Sequence, residues 1–324
     1  MITPLQSAII LHYNWSLFEE MGIDQIIFEK NKCLHSWEKE TEAPCLDKRL
    51  TDFDQNFESW ITQFPPQYIS IVFTLVSHME YYTHQKVNRQ LKELHQKLLE
   101  AASITEDDTI YTFIRSKGGY SNSSNDYWTE YKAINRINKR ICIVDTSKLQ
   151  SEAIDTIKNI IVIDDFSGTG CSLITEIKNN LDLYKGKEIF FITIGIMEDA
   201  IQSLNNFCEK IDARITFITS FKQQKAFQRE LFENNEDAKN TVHVISQDFG
   251  IPERWIMGFE DSQSLVAFYN NTPNNTLGII HCNTEKYKSL FPREHEHIPA
   301  WQILKRQKEE RSNANYYNRV RGEQ

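Results

Sequence analysis

The segment from Ile160 to Leu173, IIVIDDFSGTGCSL, constrains this chain more than any other. Four apolar residues run into Asp164 and Asp165, a short loop with two glycines follows, and helical periodicity then extends from Ser172 to Tyr184. A continuous apolar run of this kind is a strand buried on both faces, as parallel sheets require. Open α/β sheets place their ligands beyond the C-terminal ends of such strands, and the acid pair stands there. The glycines let backbone N–H groups turn inward, and the loop feeds a helix N-terminus, whose dipole favours an anion. Thr169 and Ser172 add hydroxyl donors. Residues Ser167, Gly168, Thr169, Gly170, Cys171 and Ser172 therefore describe a phosphate cradle beside two carboxylates. A ribose 5-phosphate unit, with a phosphate at one end and vicinal hydroxyls at the other, satisfies both.

Other motifs fail on residue identity. The phosphate loop of nucleoside triphosphatases needs Gly-Lys-Ser/Thr, and lysine is absent. The dinucleotide fingerprint needs a third small residue where Leu173 stands. A nucleophile elbow is absent. A phospho-acceptor receiver would begin near its acid-bearing strand and needs no glycine loop. A structural strand–turn–helix with accidental acids stays open.

Residues 1–103 read as a helical region. Ile69 to Leu99 carries helical spacing without Gly or Pro, after the helix-start signal Pro65-Pro66. His78, His84 and His95 share no single i, i+4 register and read as helix-face residues. From 104 to 250 strands and helices alternate: strand 109–114, helix 125–138, apolar strands 140–144, 159–163, 189–194 and 214–219, and a further strand at 241–245. The expected class is α/β, an open, doubly wound, mostly parallel sheet. Residues 251–300 read as a small hood-like add-on, with strands 265–269 and 277–282 joined by the polar loop 270–276. Residues 301–324 form a charged tail, read as a solvated helix or frayed end, with a phosphate-contacting arm as the alternative.

The chain has 36 basic against 45 acidic residues, a net charge of −9, which excludes a general nucleic-acid coat and leaves a local basic patch open. No basic region precedes an apolar stretch at the N-terminus, and the most apolar run, Ile189 to Met197, is too short to span a bilayer. The expectation is a cytoplasmic protein without a membrane partner. Six scattered cysteines without a Cys-x-x-Cys pair suit free thiols in a reducing compartment.

The 160–173 segment resembles the signature with which type I phosphoribosyltransferases bind phosphoribosyl pyrophosphate (PRPP): apolar strand, two acids, three residues, Thr-Gly, one residue, Thr or Ser. The segments 116–131 and 255–291 are similar to one branch, the phosphoribosyltransferase-like (PRTase-CE) family of bacterial conflict systems, which is associated with anti-phage defence loci.

The resemblance implies a fold and a chemistry. PRPP enters with Mg²⁺, and the loop 167–172 holds its 5-phosphate. Asp164 and Asp165 act as the catalytic acids, holding the ribose hydroxyls directly or through metal-bound water, so that no side chain is assigned as a direct metal ligand. Arg115, Lys117, Gly118 and Gly119 take the pyrophosphate. Lys148 stands where the family has a mobile closing loop, here about a dozen residues long. The implied activity is transfer or cleavage at ribose C1 by a toxic effector. The alternative is a module that senses PRPP or a nucleotide, or serves as a structural partner, without turnover. Tyr127 and Trp128 are candidates to stack on a base and equally fit a core; the 270–276 loop could read a base or simply turn. A defence-system protein, a nucleic acid and a second copy of the chain stay open as partners beside the small-molecule ribosyl phosphate.

Overall fold

The computed structural model describes residues 47–116 and 121–293. The elements that position the site are α1 (Phe53–Ile61), α2 (Ile69–Ser77), β1 (Glu80–Tyr82), α3 (His84–Ala101), β2 (Thr109–Phe113), α4 (Ser123–Asn135), β3 (Asn159–Ser167), α5 (Cys171–Asn179), β4 (Glu188–Met197), α6 (Glu198–Glu209), β5 (Arg214–Gln223), α7 (Asn235–Asp248) and β6 (Val266–Phe268). Short helical turns lie between them. The segments 1–46, 294–300 and the tail 301–324 lie outside the described residues.

The architecture is α/β with parallel sheets. Four strands run in the order β2-β3-β4-β5, every pair parallel. Outside β2 a single parallel bridge joins Tyr111 to Cys142. With that bridge counted, the order in space is second, first, third, fourth, fifth. The direction of winding therefore reverses between β2 and β3, the point where open α/β sheets bind ligands. Ile160 to Ile163 and Ile189 to Met197 are buried at consecutive positions. Successive strand residues face opposite sides, so both faces of the sheet are covered. Helices α3 and α4 pack together, as do α5 and α6, and each pair touches strands of the sheet.

A second apolar cluster joins residues distant in sequence. Phe53, Phe57, Trp60, Val72 and Leu75 pack with Val242, Ile256, Leu277 and Phe291. Trp60 donates its indole N–H to the Ile279 carbonyl at 3.2 Å and to Tyr287 Oη at 2.5 Å. Beside the cluster, β1 and β6 pair in parallel.

Several sequence expectations are corrected. The helix expected over 69–99 breaks into α2, β1 and α3. Tyr81 and Tyr82 favour a strand, and pairing with Ala267 and Phe268 satisfies their backbone. Thr83 then caps α3, its Oγ1 accepting from Lys86 N at 3.1 Å. The run 140–144 is not a strand: a 3₁₀ turn spans Lys139–Ile141, one bridge forms at Cys142, and Val144 is exposed. Residues 241–245 belong to helix α7, not a strand; Ala238, Val242 and Ile245 share its buried face, and Asn234 caps it. In the expected strand 277–282 a helical turn spans Gly278–His281, while 265–269 holds β6. The helix expected over 172–184 is split at Asn180. No helix among the described residues is long and apolar enough to cross a membrane.

Candidate functional site

Strand β3 carries the acid pair and continues past it. Phe166 and Ser167 are still in the ladder, opposite Gly195 and Ile196, so the loop begins later than the sequence suggested. Asp164 and Asp165 are consecutive, and their carboxyl groups lie close enough to interact with one another. Asp164 is buried, and its carboxylate oxygen accepts from the Asp165 backbone N–H at 3.0 Å. Burial, reinforced by the neighbouring Asp165 charge, pushes the Asp164 carboxyl well above the usual range. The charged form of Asp164 is therefore disfavoured relative to that of an exposed aspartate. Asp165 is half-buried and accepts from Ser123 Oγ at 3.0 Å.

The start of α4 fastens this end of the sheet. Ser124 Oγ donates to the Ile163 carbonyl at 2.8 Å and accepts from Ile114 N at 2.9 Å. One buried hydroxyl thus bridges the ends of β2 and β3. Asn122 caps the helix and donates to the Ile114 carbonyl at 2.8 Å.

The glycine loop follows β3 directly. Gly170, at φ +77°, takes the left-handed conformation that turns the chain into α5. A Cβ there would also meet Leu204 Cγ at 2.9 Å, so α6 lies close against it. Thr169 Oγ1 accepts from Cys171 N at 3.4 Å. Ser167 is buried and Ser172 is exposed. Burial raises the Cys171 thiol, and the adjacent Glu260 adds to the rise while Thr169 opposes it.

Two residues from the C-terminal part approach this loop. A Cβ on Gly168 would fall 2.1 Å from Asn275 Nδ2, so the Asn275 carboxamide lies on the loop. Cys171 Sγ donates to Glu260 Oε2 at 3.3 Å. The polar run 270–276 pointed to Asn275's loop; nothing in the sequence pointed to Glu260. The glycine loop directly follows the acid-bearing strand β3.

Arg115 has other company. Its guanidinium donates to Glu176 Oε1 at 3.1 Å, to Asn180 Oδ1 at 3.0 Å, and to Asp145. Glu176 is buried and also accepts from Thr146 Oγ1 at 3.3 Å and Asn180 Nδ2 at 2.9 Å. Arg115 thus ties the end of β2 to α5. Lys117, Gly118 and Gly119 lie outside the described residues. Lys148 is 81% exposed and pairs with Asp145 at 3.4 Å. Tyr127 and Trp128 are buried core residues. His95 bonds to Tyr131 Oη and His78 to the Thr74 carbonyl.

No cluster of three or more His, Cys, Asp or Glu suited to a metal occurs among the described residues. Asp164, Asp165 and the Ser123 hydroxyl that bonds Asp165 are hard oxygen donors, the kind that a divalent cation such as Mg²⁺ or Ca²⁺ takes.

Residues 57–293, most of the chain, match the model of the PRTase-CE family. No curated protein matches the sequence.

Proposed function

Because the chain belongs to the PRTase-CE family, we propose that the C-terminal end of β3 binds PRPP or a related ribose 5-phosphate compound and acts at its C1. The observation that carries this reading is the continuity of β3, the glycine loop and α5. One strand delivers two acids, and the next residues form a glycine turn that caps a helix.

In this reading the loop 167–172 holds the 5-phosphate through its N–H groups, with the Thr169 and Ser172 hydroxyls beside it. Asp165, in contact with Ser123, orients the ribose hydroxyls. Burial disfavours the charged form of Asp164, and a cation or a cationic ribose facing it would favour that form. Mg²⁺ would be held beside Asp164 and Asp165 and would neutralise phosphate charge. As the bond from C1 to pyrophosphate breaks and an acceptor oxygen or nitrogen bonds to C1, positive charge grows on the ring. The fixed carboxylates oppose that charge. The setting is an effector of anti-phage defence in the cytoplasm, a reading that rests on the family resemblance.

A second reading draws on Arg115 and Asn275. Arg115 is engaged by Glu176, and Asn275 lies on Gly168, which favours a binding module that senses the ligand without turnover. Pyrophosphate release separates the two. Purified protein with PRPP and Mg²⁺ is expected to release pyrophosphate, and the Asp164→Asn, Asp165→Asn double variant is not. Tight binding of PRPP without release, across free bases, nucleotides and nucleic acids as acceptors, would replace the enzyme by the sensor.

A further inference from the structure

A cavity of about 550 Å³ opens between α7 and the segment 253–261. Its floor includes the buried Ile256 and Met257. Trp255 and Phe259 form an aromatic pair in its wall, with centroids 6.0 Å apart. The charges around it are mostly paired. His243 bonds to Glu253 at 2.8 Å, and Lys239 lies 3.7 Å from Asp261. Two lining charges differ, since neither makes an ion pair among the described residues: Glu260 is held by Cys171, and the Arg254 guanidinium stands 4.9 Å from the Trp255 ring centroid. The cavity thus combines an aromatic wall, an apolar floor and one uncommitted cation. Flat rings stack on such walls, and an arginine over an aromatic face is suited to an anion.

The wall of this cavity is strained. Glu260 and Asp261 in the wall take left-handed φ of 52° and 57° although neither is glycine, and Gln263, just beyond the lining, takes 51°. Such backbone persists where the surroundings enforce it, and it gathers at ligand sites and switches. The same segment reaches the glycine loop at two points. Glu260 meets Cys171. A Cβ on Gly258 would fall 2.1 Å from the Asn275 carbonyl oxygen, and the Asn275 amide lies on Gly168.

We propose that this cavity is a second binding site, for a planar aromatic ligand carrying an anionic group, of nucleotide class, and that its occupancy is coupled to the glycine loop. The coupling rests on the ribose phosphate reading above; the binding does not. In that reading the loop end marked by Cys171 holds the 5-phosphate, while C1 lies towards the acids. A ligand in the cavity adjoins the phosphate end, so it acts as an effector rather than as the acceptor. It would bear on Gly258 to Asp261 and, through Glu260 and Asn275, on the loop.

The test is calorimetry of the full chain with adenosine 3′-monophosphate, which has ring and anion but no 5-phosphate for the loop. Binding to one site is expected. Arg254→Glu, an exposed change, is expected to weaken it at least tenfold without altering thermal unfolding, and Asp164→Asn with Asp165→Asn is expected to leave it unchanged. Adenosine and inorganic phosphate alone should each bind at least tenfold more weakly. No binding to the wild type, or binding lost in the double aspartate variant and kept in Arg254→Glu, would overturn the proposal. Ribose 5-phosphate titrated with and without saturating adenosine 3′-monophosphate tests the coupling, since two coupled ligands must shift each other's affinity equally. If ribose 5-phosphate binds nowhere while the Arg254-dependent site persists, the functional reading fails and the second site stands. Unchanged affinity for a bound ribose 5-phosphate would sink the coupling alone.

Discussion

The Asn275 carboxamide occupies the space that a side chain on residue 168 would need: a Cβ on Gly168 would stand 2.1 Å from Asn275 Nδ2. Asn275 is itself held, donating to Ser262 Oγ at 3.2 Å and accepting at its carbonyl from the same hydroxyl at 2.9 Å. Gly168→Ala is therefore expected to destabilise the fold by about 1–3 kcal/mol, the usual cost of overpacking. Combined with Asn275→Ala, the loss should be less than the sum of the two single changes. Urea unfolding of the four proteins checks this. Strict additivity would mean that the two residues do not meet.

Burial of Asp164 makes stability depend on pH. Its folded-state pKa is raised, so the folded protein binds the proton more tightly than the unfolded chain. That stabilisation is present below the ordinary aspartate value, about 3.9, and is lost as pH rises from there towards the folded value. Asp164→Asn keeps the acceptor for Asp165 N and removes the ionisation. It is expected to raise Tm at pH 7 relative to wild type, with the gain shrinking towards pH 4. A gain that stays constant across that range would show that ionisation is not the cause.

Arg115 and Glu176 form a linked pair between β2 and α5. Arg115→Ala leaves Glu176 buried without its cation, a change that costs about 3 kcal/mol or more in comparable pairs. Arg115 is partly open to water, which places the expectation at the low end. Adding Glu176→Gln should recover much of the loss. The measurement is denaturant midpoint, and a neutral Arg115→Ala would free Arg115 for a role in ligand binding instead.

Cys171 sits in the loop with an exposed side chain and a thiol raised above its ordinary value, first by burial of the sulfur. Iodoacetamide at pH 7.5 is expected to alkylate it more slowly than a free cysteine, and ribose 5-phosphate should slow it further. Cys208 and Cys282, both buried with pKa values of about 11, should react last. Peptide-level mass spectrometry reads each site. A Cys171 faster than free cysteine would contradict the described environment.

The loop's conformation was legible because its determinants are local. An apolar run, two acids and two glycines fix a strand, a turn and a helix within fourteen residues. The parallel sheet was legible for the same reason: 159–163 and 189–194 are apolar except at Asn159 and Thr193. What escaped were contacts between distant segments. Tyr81 and Tyr82 leave the helix to pair with Ala267 and Phe268, a partner nearly two hundred residues away that no local pattern announces. Thr241 to Ile245 is β-branched enough to suggest a strand, yet Asn234 caps a helix and Ala238, Val242 and Ile245 line its buried face. The covering of Gly168 by Asn275 and the engagement of Arg115 by Glu176 are likewise tertiary. Composition around either residue gives no sign of them.

Whether β3 and its loop form a ribose phosphate site is decided by one titration. PRPP with Mg²⁺ is titrated calorimetrically into the full chain and into the Asp164→Asn, Asp165→Asn variant. The expected result is micromolar binding to the wild type, weakened at least tenfold in the variant, with both proteins folded by circular dichroism. No heat of binding with the wild type, or equal affinity in the two proteins, would contradict the account.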